Sequence, residues 1–353
     1  MRAFPVLTLA LIPALLQGCA TGSIQPPAGD AVTASVTARA QTMPVGTGED
    51  AADDPAVWRN HRRPADSLIV ATDKRAGLHL YDLAGRHLDF APSARLNNVD
   101  LRADVPVAGA RGILVAASDR ADEAQARIAL FRLDPLARKL VPLGNPAAGA
   151  GEAYGMCLWR RAADKALFAF VVMKDGRIDQ FRIDASGPRP SAQRVRQLQL
   201  GTQSEGCVAD DRTGMLYVAE EDVGLWRFAA DPAAPTTPIP GPRVDGRFLV
   251  ADAEGLALAP KGRDGGWLIA SSQGDNAYAV WRLPDLQPVG RFRIAAGTVG
   301  ATSETDGIEI ALGDFGAGFP KGLMVAQDGD NAPDMQNFKL VAWADIAKAL
   351  HLK

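Results

Sequence analysis

Six segments of this 353-residue chain begin with acidic or amide side chains placed just ahead of an apolar run. They are Asp53 and Asp54, Asn97 and Asn98, Glu152 with Tyr154, Glu205, Asp252 with Glu254, and Glu304 with Asp306. A second set of polar residues follows apolar runs further on: Lys74, Arg120, Lys174, Glu220, Glu221 and Asp328. Carboxylates gathered in one cleft repel one another unless cations neutralise them. Oxygen donors without His or Cys select Ca²⁺ over zinc or copper. A single acidic leader serves a turn amide equally well, but turn duty does not demand acids in every copy. Lys and Arg beside a calcium-loaded cleft suit an anionic ligand, and phosphate oxygens match ammonium and guanidinium groups. A water between such cations loses its proton more readily and can attack phosphorus in line.

The elements that carry these residues repeat. The runs SLIVATDK from Ser67, GILVAASDR from Gly112, LFAFVVMKDG from Leu167, MLYVAEED from Met215, GWLIASSQGDN from Gly266 and GLMVAQDGDN from Gly322 recur with a period of roughly 50 residues. Each has an acid-led strand upstream and a third strand downstream, such as GLHLYDL or RIALFRLD. Adding one outer edge strand gives a four-stranded blade, and six blades packed radially bury faces that no single blade can bury. The expected fold is therefore all-β, a six-bladed β-propeller. The last copy lacks its own fourth strand, so Ala34 to Val45 is expected to supply it and close the ring, removing exposed edges. Helical patterning is confined to a short stretch from Trp343 to Leu350, and the Pro-rich DPAAPTTPIPGP from Asp231 reads as a loop. In a propeller the leading residues meet at one mouth of the central channel.

The N-terminus reads as a processing segment. Arg2 precedes an apolar stretch too short to span a membrane, which ends in Leu15-Leu16-Gln17-Gly18-Cys19. This resembles a bacterial lipobox, with Cys19 lipidated after cleavage; plain secretion is the alternative. The expected organisation is a signal peptide over 1–19, a linker over 20–33 and the propeller over 34–353. The expected location is the outer membrane, a periplasm-facing lipoprotein form, or the exterior, and Ala20 does not suggest inner-membrane retention. Cys157 and Cys207 match no zinc site and each lies in an apolar run, so two separate buried thiols are expected. A formal net charge of −3 gives no basic surface for nucleic acid. None of the four histidines lies in an RHGxRxP context, no Cys is followed six residues later by Arg, and GxSxG is absent. Covalent catalysis thus has no candidate.

The segment Asp50-Ala-Ala-Asp-Asp-Pro-Ala-Val-Trp58, followed by Asn97-Asn-Val-Asp-Leu-Arg102, resembles the signature pair of bacterial β-propeller phytases. The similarity continues through Glu205-Gly206, Ala219 to Asp222, Ser271 to Asn276, Thr305 to Gly307, Val325 to Gly329 and Asn337 to Trp343. It implies a calcium-dependent phosphomonoesterase that acts on phytate (inositol hexakisphosphate) as its calcium complex and works as a monomer. By position, the resemblance makes Asp53, Glu205, Glu221, Asp252, Glu254 and Asp306 active-site calcium ligands, with Tyr154 contributing its hydroxyl. It makes Lys74, Arg120 and Lys174 the phosphate-binding cations. Lys74, Arg120, Tyr154, Lys174 and Glu221 are then the catalytic set. Asp328 and Asn331, together with Asp54 and Asp100, become ligands of structural calcium. Two positions depart from the pattern: Gln41 stands where an acid is expected and Gly300 where an aspartate is common. A calcium-dependent hydrolase of another class, lactonase-like, and a non-catalytic envelope module that captures polyanions are the alternatives on the same scaffold.

Overall fold

A computed structural model describes residues 33–353 together with Met1. Apart from Met1 and Thr33, the segments expected to be a signal peptide and a linker, Cys19 included, lie outside the described residues. Among the described residues six sheets follow one another along the chain, antiparallel except where the N-terminal strand joins the fifth. The first blade contains Ala52–Trp58, Leu68–Asp73, Gly77–Asp82 and His87–Pro92, ordered from the innermost strand outward. The innermost strands of the later blades are Leu96–Val107, Ala153–Arg160, Ser204–Asp210, Ala253–Lys261 and Ile308–Leu312.

The packing explains the apolar runs. Every residue of the second strands Leu68–Asp73, Leu167–Met173 and Gly322–Asp328 is buried. A half-exposed strand would alternate, whereas one covered on both faces reads as a continuous apolar run. The core accordingly divides into six clusters, each spanning two neighbouring blades. Leu80 and Val115 share one between the first and second blades, and Ile69 and Val325 share another between the first and sixth.

The ring closes through the N-terminal segment, as the sequence predicts, but that segment is divided between two blades. Thr33–Thr37 pairs in parallel with Gln287–Ala295 at the outer edge of the fifth blade. Ala40–Gln41 alone pairs with Asn337–Ala342 and completes the sixth. Val36 and Ala38 are buried in the joint between these blades, and burying both requires the chain to step from one sheet to the other. The helix Trp343–Ala349 packs over the same joint, where Arg39 meets Asp345 at 2.8 Å. A second difference concerns the Pro-rich loop, whose end forms the edge strand Ile239–Arg243 of the fourth blade. An edge tolerates proline because the missing N–H would face solvent.

The two thiols expected to stand apart are a disulfide, Cys157–Cys207, with a Cα–Cα separation of 5.7 Å. They lie on the innermost strands of the third and fourth blades. Innermost strands converge toward the axis, which brings together cysteines far apart in sequence.

Candidate active site at the channel mouth

The leading residues face the mouth because the innermost strands are bulged where they begin. Strand register shifts between Ala52 and Pro55, between Leu96 and Val99, between Ala153 and Gly155, between Ser204 and Cys207, and between Ala253 and Leu256. These shifts span Asp53 and Asp54, Asn97 and Asn98, Tyr154, Glu205 and Glu254 in turn. A bulge turns a side chain out of the alternating pattern, and in each of the first five blades one or two polar residues fall within it.

Glycines set how closely the blades approach. A Cβ on Gly155, Gly206, Gly255 or Gly307 would lie 1.9 to 2.5 Å from the carbonyl oxygen of Glu205, Glu254, Asp306 or Asp53 respectively. The bare backbone lets each strand touch the acidic residue of the next blade. Gly255 donates its N–H to the Asp306 carbonyl at 2.8 Å, and Gly307 to the Asp53 carbonyl at 3.1 Å. The acid-Gly pairs thus form a backbone chain that draws carboxylates together.

Glu205, Glu221 and Glu254 are buried and offer oxygens that all lie within 4.8 Å of one another. Asp53 and Asp306 join them around the Lys74 ammonium, which lies 3.3 Å from Asp53 Oδ2, 3.0 Å from Asp306 Oδ2 and 2.8 Å from Asp50 Oδ1. Burial would lower the Lys74 pKa, but Asp53, Asp306 and Asp50 outweigh it and raise it well above the usual lysine range. Burial, with Asp306 nearby, pushes Glu205 up to about 8. Burial, with Asp252 nearby, pushes Glu221 up to about 7. Glu254 and Asp53 are raised well above the carboxylate range, burial first in each case. Asp252 is also raised, by burial and by Asp222.

Three of these buried oxygens, Asp53 Oδ1, Glu221 Oε1 and Glu254 Oε2, have no hydrogen-bond partner among the described residues. Buried carboxylate oxygens without donors cost free energy unless a cation meets them. Several carboxylates with spare oxygens and no nitrogen or sulfur donor form a set that fits Ca²⁺.

Tyr154 stands between the other two predicted cations. Arg120 Cζ lies 5.0 Å and Lys174 Nζ 5.2 Å from its ring centroid. Arg120 also donates to Asn97 Oδ1 at 2.6 Å and pairs with Glu152. Lys174 makes no ion pair among the described residues. Burial and the surrounding Glu205 and Glu254 raise the Tyr154 pKa far above normal, so its hydroxyl keeps its proton. Beside this group, Lys74, Arg75, Arg95, Arg120 and Asp50 line a cavity of about 510 Å³.

Three residues not singled out from the sequence belong to the mouth. Asp50 pairs with Lys74, Gln203 donates to Glu221 Oε2 at 2.7 Å, and Gln273 donates to Asp306 Oδ1 at 2.6 Å. Asp50 and Gln203 each fall just before an acid-led strand, a position that could have marked them.

The residues assigned to structural calcium are placed differently. Asp54 Oδ2 accepts from the Val99 N–H at 2.9 Å. Asp100 accepts from the Leu101 and Leu158 amides and pairs with Arg102 at 2.8 Å. Burial and then Asp100 push nearby Glu309 up to about 8. Asp328 and Asn331 both contact the Lys339 ammonium.

A family model described as Phytase matches residues 5–353. The chain is also similar to a 3-phytase of Bacillus subtilis (strain 168). The two are 39% identical over 328 residues, covering 89% of this chain and 85% of the relative.

Proposed function

Because the chain belongs to the phytase family, we propose that its acidic mouth uses calcium ions to release phosphate from phytate taken up as a calcium complex. The chain is a phytase, a phosphoric monoester hydrolase built on a six-bladed propeller. The observation carrying the calcium reading is the set of three buried oxygens without a partner among the described residues, on Asp53, Glu221 and Glu254. Asp53, Glu205, Glu221, Asp252, Glu254 and Asp306 would hold the ions. When bound, calcium neutralises these carboxylates and the phosphate oxygens and acidifies a coordinated water.

The chain's own groups divide the remaining work. Lys74, Arg120 and Lys174 take the phosphate oxygens as charge shifts onto them, which is where fixed cations accelerate phosphoryl transfer. The Tyr154 ring makes cation–π contacts with both Arg120 and Lys174 and so helps hold them in place. Glu221 Oε1 has no hydrogen-bond partner among the described residues while Gln203 holds the other oxygen, so Oε1 is open to the calcium it would help bind. The groove of Arg75 and Arg95 suits the remaining phosphates, because their ion pairs with Glu49 and Glu123 are exposed and easily exchanged. A neutral lactone would leave these cations without a role.

The disulfide supports folding outside a reducing compartment, as an exported protein does. Lipidation of Cys19 accords with that route, and the mass of the mature N-terminal peptide tests it. The deciding experiment measures phosphate release from phytate by the purified mature chain while calcium is titrated. Release should rise with calcium and vanish with EDTA. Release that persists at full rate in EDTA would overturn the calcium reading.

A further inference from the structure

Lys339 lies within Asn337–Ala342, the strand that pairs with the ring-closing Ala40–Gln41, and its side chain is fully buried. A lysine is almost never buried this completely unless its charge is matched and its protons are accepted. Four oxygens surround Nζ: Gln41 Oε1 at 2.8 Å, Asn331 Oδ1 at 2.8 Å, Asn337 Oδ1 at 3.0 Å and Asp328 Oδ2 at 2.9 Å. These are N–H···O lengths, longer than the roughly 2.3–2.6 Å of calcium–oxygen bonds. Gly300 lies on the remaining side, where a Cβ would be 3.4 Å from Nζ.

The charge already balances. Among the described residues Asp328 is the one carboxylate touching the ammonium, and Gln41, Asn331 and Asn337 contribute neutral amides. A calcium ion on Asp328 and Asn331 would need the same oxygens and would leave two positive charges uncompensated beside a fully buried ammonium. Evicting Lys339 would instead strand an ammonium without exposure to water. The residues do not fit calcium here.

We propose that Lys339 is the resident cation of the closing joint, a covalently attached ammonium holding the oxygens assigned to calcium on Asp328 and Asn331. The clasp between Gln41 and the sixth blade is then independent of calcium, and the metal is needed at the mouth. This rests on the reading of the mouth as a calcium site only for that contrast, and the experiment separates the two.

Bound calcium per chain is measured by equilibrium dialysis with elemental analysis for the wild type, Asp328→Asn, Asn331→Ala and Glu254→Gln. Asn331→Ala removes only a neutral group and remains readable if Asp328→Asn fails to fold. The two joint variants should bind as much calcium as the wild type. Loss of one equivalent in either overturns the proposal, whereas the Glu254→Gln count tests the mouth alone. In EDTA, Lys339→Met should melt about 5 °C or more below the wild type. Equal melting in EDTA would also overturn it.

Discussion

Lys74 Nζ stands 3.0 Å from Asp306 Oδ2, so an ammonium from the first blade meets the leading carboxylate of the sixth. Lys74 therefore holds the mouth together across the ring closure, and under the proposed function it also takes phosphate oxygens. Lys74→Met should lower kcat/KM for phytate by about 100-fold or more, the scale of losing one preorganised charge donor. Steady-state kinetics at saturating calcium check it. An unchanged kcat/KM would remove Lys74 from the reaction.

Calcium binding should be linked to protons. Before calcium binds, Glu221 titrates at about 7 and Glu205 at about 8, so both hold protons at pH 6 and must lose them to the metal. Apparent calcium affinity should strengthen steadily from pH 6 to pH 8, with phosphate release falling in acid. Calorimetry in buffers of different ionisation heat reads the released protons directly. Affinity independent of pH across this window would contradict the picture.

The same carboxylates set the stability of the calcium-free protein. In the unfolded chain they lose protons near pH 4.3, whereas folding raises Glu205, Glu221 and Glu309 to about 8, about 7 and about 8. Between those limits the unfolded state binds fewer protons, so stability falls as pH rises. In EDTA the melting temperature should drop from pH 5 to pH 8, and added calcium should flatten the slope. A melting temperature that rises over this range in EDTA would be inconsistent with crowded, unneutralised carboxylates.

Gly307 joins the sixth blade to the first, and a Cβ there would lie 2.5 Å from the Asp53 carbonyl oxygen. Gly307→Ala should force the blades apart, costing about 1–3 kcal/mol or more as overpacking does. Denaturant titration reads the loss, and calcium binding should weaken with it because Asp53 and Asp306 separate. Gly318, with open space around it, is the control, and Gly318→Ala should be close to neutral.

The Cys157–Cys207 bridge closes a loop across a sequence separation of 50. Removing it with Cys157→Ser and Cys207→Ser together should cost about 4 kcal/mol, the chain-entropy value for such a loop. A denaturation midpoint equal to that of the wild type would assign the bridge no stabilising role.

The blade repeat and the leading carboxylates were readable because both follow from local pattern. A second strand covered on two faces must be apolar throughout, and acids such as Glu205 and Glu254 precede an invariant type of partner strand. The cross-blade pairings left no such trace. Cys157 and Cys207 each sit in an ordinary apolar run, and their meeting depends on how neighbouring blades converge. Lys339 in NFKLVAW reads like a solvent-facing position in an alternating strand. It is buried because Gln41 arrives from the other end of the chain. Gln41 and Gly300, which departed from the expected pattern, both border that ammonium.

The split N-terminal segment has a consequence for the order of assembly. Gln41 and Lys339 are separated by 298 positions, yet they share the joint that completes the sixth sheet. A growing chain makes Ala40–Gln41 first and its partner strand last, so the early segment stays without its neighbours until synthesis is nearly over. The sixth sheet is the last to be completed, and its long-range pairing belongs to the slow class of folding steps. The finished ring is thereby latched by its own N-terminal strands, one on the fifth sheet and one on the sixth.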